Sequence, residues 1–434
     1  MNNRKVKKVL IIAYYWPPAG GPGVQRVVKF TKFLRDFNFE PIILTVENGS
    51  YPAFDYSLIK ELPENIKVIK TKTFEPFSIY KKLLKQKDGV IPKDVFSKTK
   101  NESAINKVSK WIRANIFIPD GRVGWLPFLI SAGNKIIQNE KPDIIFSTSP
   151  PNSLHLGAKY LAKKHKLKWV ADFRDPWTDG YWNTDLPKLN FMKKVDLKFE
   201  KAVLKKASAI TTVSAELVFL FKEKEENNFF VLHNGFEKKQ FYPIKSDVFR
   251  ILFIGNLTKF QNPEPLFKAI NKIENINLFD IEINFTGKTY SDFSDLIQKY
   301  SNLNIVINDY LPRNKLMEFG NTSSLLFFPT YAINKYSKGI IGAKMFDYLA
   351  LRKPILAVGE KGSIVDRVLS ETNSGRLFCK DEIENISKFI TEKFQVWKEK
   401  KYISLDWNEN LDKYLTEKSV KKITDIFLKL LSEK

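Results

Sequence analysis

Short continuous apolar runs alternate along this chain with stretches whose apolar residues recur every three to four positions. "KKVLIIAYY" (7–15), "PIILTV" (41–46) and "IKVIKT" (66–71) have strand length and strand composition. Between the first two, "VVKFTKFLRDF" (27–37) carries its apolar residues at helical spacing. Strand, glycine–proline loop, helix, strand is the opening of a doubly wound parallel sheet. Residues 75–124 are less regular. Order resumes with "DIIFSTS" (143–149), a helix from Asn152, "KWVADF" (168–173), a helix from Leu189 to Ala207, "AITTVS" (209–214) and "FFVLHNG" (229–235).

"EKKQFYPIKSD" (237–247) reads as a linker, and a second alternation follows it. Its runs are "FRILFIGN" (249–256), "FDIEINFTG" (279–287), "LNIVIND" (303–309), "SLLFFP" (324–329) and "PILAVG" (354–359), with helices from Pro263, near Leu296, near Leu316 and one that starts after Gly342 and is ended by Pro354. Leu411–Leu431 is predicted as one amphipathic helix. The fold class is therefore α/β: two Rossmann-like doubly wound domains, residues 1–240 and 241–405. Residues 406–434 form a terminal helix packing toward the first. Open sheets of this kind bind ligands outside the carboxyl ends of their strands. The loops that matter are then Tyr15–Gly23, Ser147–Pro151, Asp172–Asp179, Gly255–Gln261 and Tyr331–Gly342.

Composition sharpens this in two ways. The net charge of +23 is uneven: residues 1–240 hold 42 basic and 24 acidic side chains, the remainder 29 and 24. The first half thus carries +18 and the second +5, a field suited to anionic membranes, phosphorylated substrates or nucleic acid. The segment Lys81–Arg113, with "IYKKLLK" and "VSKWIR", is itself +7 and is the candidate contact with an anionic membrane surface. A merely solvated basic loop is the other reading. One cysteine, Cys379, leaves no intrachain disulfide and suits a reducing compartment. The apolar run Val9–Ala13 is too short for a signal sequence or a span, so the expectation is a cytoplasmic protein, peripheral at the inner face of the cell membrane.

Four stretches offer chemistry. "AGGPGVQR" sets Gly20, Gly21 and Gly23 after the first strand, where backbone amides can meet a phosphate or sugar, or simply make a turn. It is not the G-x-G-x-x-G of dinucleotide sites. "ADFRDPWTDGYW" crowds Asp172, Arg174, Asp175 and Asp179 beside Trp177, Tyr181 and Trp182; this is either a sugar site or an internal ion-pair network. Lys259 follows the first strand of the second half, as a diphosphate ligand or a surface lysine. In "GIIGAKMFDYLAL", Gly339, Gly342 and Ala343 precede a helix start fit for an anion. Lys344 and Asp347, at i and i+3, share a face there, which also allows a plain surface pair. The histidines His155, His165 and His233 are dispersed and Asp-x-Asp is absent, so no metal site is expected.

With these motifs together, the chain resembles glycosyltransferase family 4, of the GT-B fold. The likeness rests on "YYWPPAGGPGVQR", "DFRDPWTDGYW", "VLHNGF", "FIGNL" and, above all, "GAKMFDYLALRKPIL", and it leans toward bacterial enzymes of cell-surface polysaccharide synthesis. The resemblance implies two domains facing across a cleft, the first for the acceptor and the second for a nucleotide-sugar. It also implies retaining transfer with no metal and no cofactor beyond the nucleotide-sugar co-substrate. It assigns Asp347 to the ribose and places Gly255 and Asn256 at the donor. The first of the family's two donor-site acids falls on Gly339, and its frequent histidine on Arg174, which cannot serve as acid or base. Lys259 and Lys344 would neutralise the leaving diphosphate, while Arg174, Asp172 and Asp175 position acceptor and sugar. The implied acceptor is a glycan, often polyprenyl-pyrophosphate-linked.

Three rival readings share parts of this pattern. A sugar-nucleotide epimerase of the same fold needs the donor pocket alone. A non-catalytic member fits the glycine at 339. A nucleic-acid-binding protein fits the charge but lacks any reading motif, so no nucleic-acid partner is expected.

Overall fold

The computed structural model describes residues 6–51, 53–75, 104–180, 183, 186–238, 244–274, 276–309, 311–330 and 337–433. Most of the basic segment Lys81–Arg113, the side chains of Tyr181 and Trp182, the middle of the linker (239–243) and the loop start at 331–336 lie outside the described residues.

The chain divides into two compact units, Met1–His233 with Ser419–Lys434, and Asn234–Lys418. The first contains β1 (Lys7–Ile12), α1 (Pro22–Leu34), β2 (Phe39–Val46), β3 (Lys67–Thr71), α2 (Ala104–Asn115), α3 (Leu126–Glu140), β4 (Ile144–Ser149), α4 (Leu154–His165), β5 (Lys168–Phe173), α5 (Asn190–Lys206), β6 (Ala209–Thr212), α6 (Ala215–Lys222) and β7 (Phe229–Val231). Its seven strands are ordered β3-β2-β1-β4-β5-β6-β7, with every described pairing parallel. The central strands are buried on both faces, β4 at all six positions, as a sheet covered by helices requires, while the edge strands β3 and β7 are only partly buried.

The second unit contains β8 (Phe249–Ile254), α7 (Glu264–Ile270), β9 (Ile281–Thr286), α8 (Phe293–Lys299), β10 (Ile305–Asn308), α9 (Arg313–Asn321), β11 (Leu325–Pro329), α10 (Lys344–Leu351), β12 (Ile355–Val358), α11 (Ile364–Thr372), β13 (Gly375–Phe378) and α12 (Ile383–Lys400). Its sheet order is β10-β9-β8-β11-β12-β13, again parallel. In each sheet the strand order reverses once, between β1 and β4 and between β8 and β11. Those two points are where such sheets open a crevice for ligands.

The chain's end departs from expectation. Leu411–Leu431 is not one helix: Asn408 caps a 3-10 segment, Glu409–Tyr414, through its side chain. Leu415 is extended at φ −69°, ψ 140°, and its bridge to Phe236 keeps this stretch in the second unit. Only then does α13 (Thr416–Ser432) begin, and Val420, Ile423, Ile426, Phe427 and Leu430 bury themselves with Val9, Phe39 and Ile144 of the first unit. The unit boundary accordingly falls at 418 and not at 406. Helices α2, α3, α6, α11 and α12 and strand β13 were not read from the pattern, α2 falling in the stretch read as irregular.

Candidate functional site

The helix that raised the sharpest question in the sequence, α10, is anchored from inside. Phe346, Leu349 and Ala350 are buried as the spacing required, and so are Met345 and Tyr348. The Tyr348 hydroxyl accepts from the Ile254 amide at 2.9 Å and donates to the Phe327 carbonyl at 3.1 Å. One side chain thus ties α10 to both strands at the reversal point of the second sheet. Burial raises that phenol far above its usual range, so it stays a neutral two-way clip.

Lys344 does not pair with Asp347. Its Nζ lies 4.1 Å from the centroid of Phe253 on β8 and 5.9 Å from that of Phe328 on β11. It is sealed from solvent and has no hydrogen-bond partner. Burial pulls its pKa down to about 7. The residue as a whole is only half-buried; the stem is in part exposed while the ammonium points inward. Asp347 is held from elsewhere: Arg313, at the start of α9, donates to its Oδ1 at 2.7 Å. The shared-face pair of the sequence reading is therefore replaced by two separate environments.

The other predicted donor residues gather nearby. Gly255 follows β8 at φ 99°, a conformation that only glycine adopts freely, and a side chain there would meet open space. Gly287 packs so close that a Cβ on it would lie 2.5 Å from the Gly255 carbonyl oxygen. Asn256 is half-buried with no described hydrogen bond. The loop beyond it is fastened to the end of β11 by Gln261, whose Nε2 donates to the Pro329 carbonyl at 2.9 Å. Lys259 rides on the outside of that loop, exposed, 5.1 Å from the Phe260 ring centroid. Gly339 is buried at the end of a 3-10 turn, Gly342 accepts from the Met345 amide at 3.0 Å, and Ala343 is the N-cap of α10.

The first unit has its own cluster at the reversal point of its sheet. Asp172 is fully buried, and both carboxylate oxygens are taken: Arg26 at 3.1 and 2.8 Å, Thr148 at 2.7 Å and Thr211 at 2.8 Å. Desolvation opposes the charge, but Arg26 and the hydroxyls outweigh it and hold the carboxyl below its usual range. This corrects Asp172 as a substrate contact: it has no free oxygen and joins an internal network. Arg174 spends three donors on backbone carbonyls, Ser149 at 2.7 Å, Gly23 at 2.5 Å and Pro150 at 3.1 Å. It thereby clips the loop after β1 to the loop after β4. A Cβ on Gly23 would stand 2.7 Å from Arg174 Nη1, which is why that position is glycine. Gly20 donates its amide to Ala53, and Gly21, at φ 108°, starts α1.

Asp175 is half-buried with no described hydrogen bond; burial raises its carboxyl, and Arg174 partly opposes this. Asp179, also predicted here, pairs with Lys224, which bridges to Glu200 at 2.8 Å. Sequence reasoning missed Arg26, Arg313, Tyr15 and Arg113. Burial and the like charge of Arg122 push the Arg113 guanidinium down to about 10, and Tyr15 acts favourably on both Arg113 and Arg174. No local pattern could reveal the roles of Arg26 and Arg313, because their partners Asp172 and Asp347 are 146 and 34 residues away. Among the described residues, no three His, Cys, Asp or Glu side chains converge as metal ligands, and no helix is long and apolar enough to cross a membrane.

No protein-family model and no curated protein matches the sequence. Solved structures do match over nearly the whole chain. One is sucrose-phosphate synthase from Thermosynechococcus elongatus, with TM-score 0.61 at 12% identity, covering 99% of this chain and 100% of that one. Another is Anabaena HepE in complex with UDP-glucose, with TM-score 0.59 at 12% identity, covering 97% and 99%. A third is a putative UDP-N-acetylglucosamine 2-epimerase from Listeria monocytogenes, with TM-score 0.51 at 10% identity, covering 99% and 98%. The chain has the GT-B fold. In that GT-B frame, the Lys344 cluster sits at the reversal point of the second Rossmann-like unit, and the Arg174 clip at that of the first.

Proposed function

We propose that the protein is a glycosyltransferase of the family 4 type, which moves a sugar from a nucleotide-sugar held by residues 234–418 to a glycan acceptor held by the first unit. The observation that carries this reading is Lys344: an ammonium with no acceptor, at the start of α10, between rings from the two strands that flank the reversal point. A buried cation without a partner is costly unless an anion arrives. A diphosphate suits it, and the N-terminal amides of α10 add donors of the same sign. In transfer, Lys344 and the exposed Lys259 oppose the negative charge growing on the leaving nucleoside diphosphate, which is where preorganised charge contributes most. Asp347 keeps Oδ2 for the ribose hydroxyls while Arg313 holds Oδ1. The backbone at Gly255 and Asn256 and at Gly339–Ala343 lets the donor approach closely. On the acceptor side, Arg174 fixes Gly20–Gly23, and Asp175, lifted by burial, is the carboxyl free to touch substrate.

Retention of anomeric configuration, independence of metal and a polyprenyl-pyrophosphate-linked acceptor at an anionic leaflet belong to the same proposal. The shared fold with a protein solved in complex with UDP-glucose supports the nucleotide-sugar donor. Thermal-shift measurements across a panel of nucleotide-sugars test it: a cognate donor at a hundred times its Kd should stabilise the protein by about 2.7 kcal/mol. Absence of any shift across the panel would reject the donor site. The likeness to a putative 2-epimerase favours one second reading, epimerisation of the donor sugar. Incubation with donor alone separates the two, since an epimerase releases the isomeric sugar and a transferase returns the donor or its slow hydrolysis product.

A further inference from the structure

The sheet of the second unit carries a polar row on a face that is otherwise apolar. Leu252, Ile254, Leu326 and Phe328 line that face from β8 and β11. On β9 the positions in register with Leu252 and Ile254 are Asn284 and Thr286, exposed to only 2% and 1%, and Asn308 on β10 stands in register with Thr286. Apolar side chains would fill these places at less cost, so a connected polar row here calls for a role.

The row has one sense. Arg250 donates through Nε to Glu282 Oε1 at 2.5 Å, and a carboxylate held in this way only accepts. Asn284 therefore turns its amino group to Glu282, at 3.1 Å, and its carbonyl oxygen away. That oxygen takes the Thr286 hydroxyl at 2.8 Å and Asn308 Nδ2 at 3.2 Å. Asn308 is thereby oriented too. Its amino group points into the row and its Oδ1 points away from it, where no donor among the described residues meets it. Asn308 is half-buried and ends β10, so this oxygen is a fixed acceptor at the carboxyl edge of the sheet, where such sheets bind ligands.

The same edge adjoins the ribose contact proposed above. A short loop after Asn308, Arg313 opens α9 and donates to Asp347 Oδ1 at 2.7 Å, so the chain leaving β10 runs beside Asp347. Strand β10 lies two strand spacings from β8, about 10 Å, and Lys344 sits over Phe253 of β8. A diphosphate at Lys344 and a ribose at Asp347 put the base of the nucleotide toward Asn308.

We propose that Asn308 reads the nucleobase of the donor and selects a lactam edge, that of uracil, thymine or guanine. In these bases a ring N–H stands beside a carbonyl. The N–H donates to Asn308 Oδ1, and the carbonyl suits the Arg313 guanidinium, which only donates. Cytosine and adenine carry the reverse pattern, a bare ring nitrogen beside an amino group, and would set acceptor against acceptor and donor against donor. Asn284 is a positioning residue, since it decides which end of the Asn308 amide faces out. The inference rests on the donor site proposed above and names the class of base that site takes.

Calorimetric titration of UDP, CDP, GDP and ADP into the full chain tests this. Within whichever size class binds, the lactam base should bind at least tenfold tighter, UDP over CDP or GDP over ADP, because a site built to hydrogen-bond one group rejects an analogue that lacks it. Asn308→Ala should bring that ratio below threefold. So should Asn284→Leu, which keeps Asn308 and removes only what orients it; a residue that merely filled the sheet would change stability and leave the ratio alone. Inorganic diphosphate, which has no base, should bind the wild type and both variants equally, showing the phosphate site intact. Asn308 lies at a half-buried strand end, so its variant reports even where Asn284→Leu unfolds. A wild type that binds nucleoside diphosphates without preference within a size class, or that prefers CDP or ADP, overturns the role of Asn308 alone. So does Asn308→Ala with the wild-type ratio. A wild type that binds none of the four refutes the donor site, and this inference with it.

Discussion

Lys344→Met should make the empty protein more stable while weakening its hold on nucleotide. The unfolded chain titrates this amine near 10.5, and burial lowers it to about 7 in the folded state. That gap, at about 1.4 kcal/mol per pH unit, corresponds to a cost on the order of 4 kcal/mol at pH 7. The Phe253 face at 4.1 Å returns roughly 1–2 kcal/mol of cation–π attraction to the charged form. The net penalty is then about 2–3 kcal/mol. Methionine keeps the apolar stem and removes the charge. For a unit the size of residues 234–418, the gain should raise the melting temperature by roughly 4–12 °C at pH 7. The sign with pH is fixed. Between about 7 and 10.5 the unfolded chain binds more protons than the folded one at this site, so wild-type stability should rise with pH across that window relative to the variant. Differential scanning calorimetry at pH 7 and pH 10 reads both effects. A variant that melts at or below wild type at pH 7, or a gap that does not narrow by pH 10, would refute the argument.

Other consequences follow from the same contacts. Asp172→Asn leaves the buried Arg26 guanidinium without its counter-charge and should cost about 3–5 kcal/mol, seen as a lower-melting first unit. Because the Asp172 pKa is lowered in the fold, its contribution is present above the usual carboxylate range and lost as pH falls through and below it; acid titration by circular dichroism should show the variant less acid-sensitive at this site. Gly23→Ala should push Arg174 off its three carbonyls, so amide exchange at Gly20–Gly23 should speed up while the core strands keep their protection. Asp347→Ala should weaken nucleoside diphosphate binding by roughly 1–3 kcal/mol in calorimetry, and it should also lower the melting temperature, because the mostly buried Arg313 loses that carboxylate. Unaltered affinity would remove Asp347 from the site.

The sheets were legible because their central strands are buried on both faces, and a buried parallel strand such as Ile355–Val358 is written as an unbroken apolar run. Helix α10 was legible for a similar reason: its core face is periodic, and Pro354 closes the segment. What stayed hidden is non-local. Spacing puts Lys344 and Asp347 on one side of a helix, but Arg313 outcompetes the lysine for the carboxylate, and Phe253 and Phe328 take the ammonium. The aspartate cluster after β5 allowed two readings, a sugar site or an internal ion-pair network. The structure splits it, with Asp172 locked to Arg26 inside the sheet and Asp175 left without a hydrogen bond. Helix α2 escaped because a short stripe set among basic residues reads as irregular when nothing in the sequence marks what it packs against. The break at Leu415 escaped because the apolar period runs on across it; the Asn408 cap is the local cue to the 3-10 turn before it.

The account stands most directly on one titration, that of a nucleoside diphosphate into the wild type and into Lys344→Met by isothermal calorimetry, in buffers of different protonation enthalpy. The account predicts a single site in the wild type, with proton uptake near pH 8 as the bound diphosphate restores charge to the Lys344 amine, and at least tenfold weaker binding with no such uptake in the variant. Equal affinity and equal proton exchange in the two proteins, or no binding of any nucleoside diphosphate to the wild type, would contradict it.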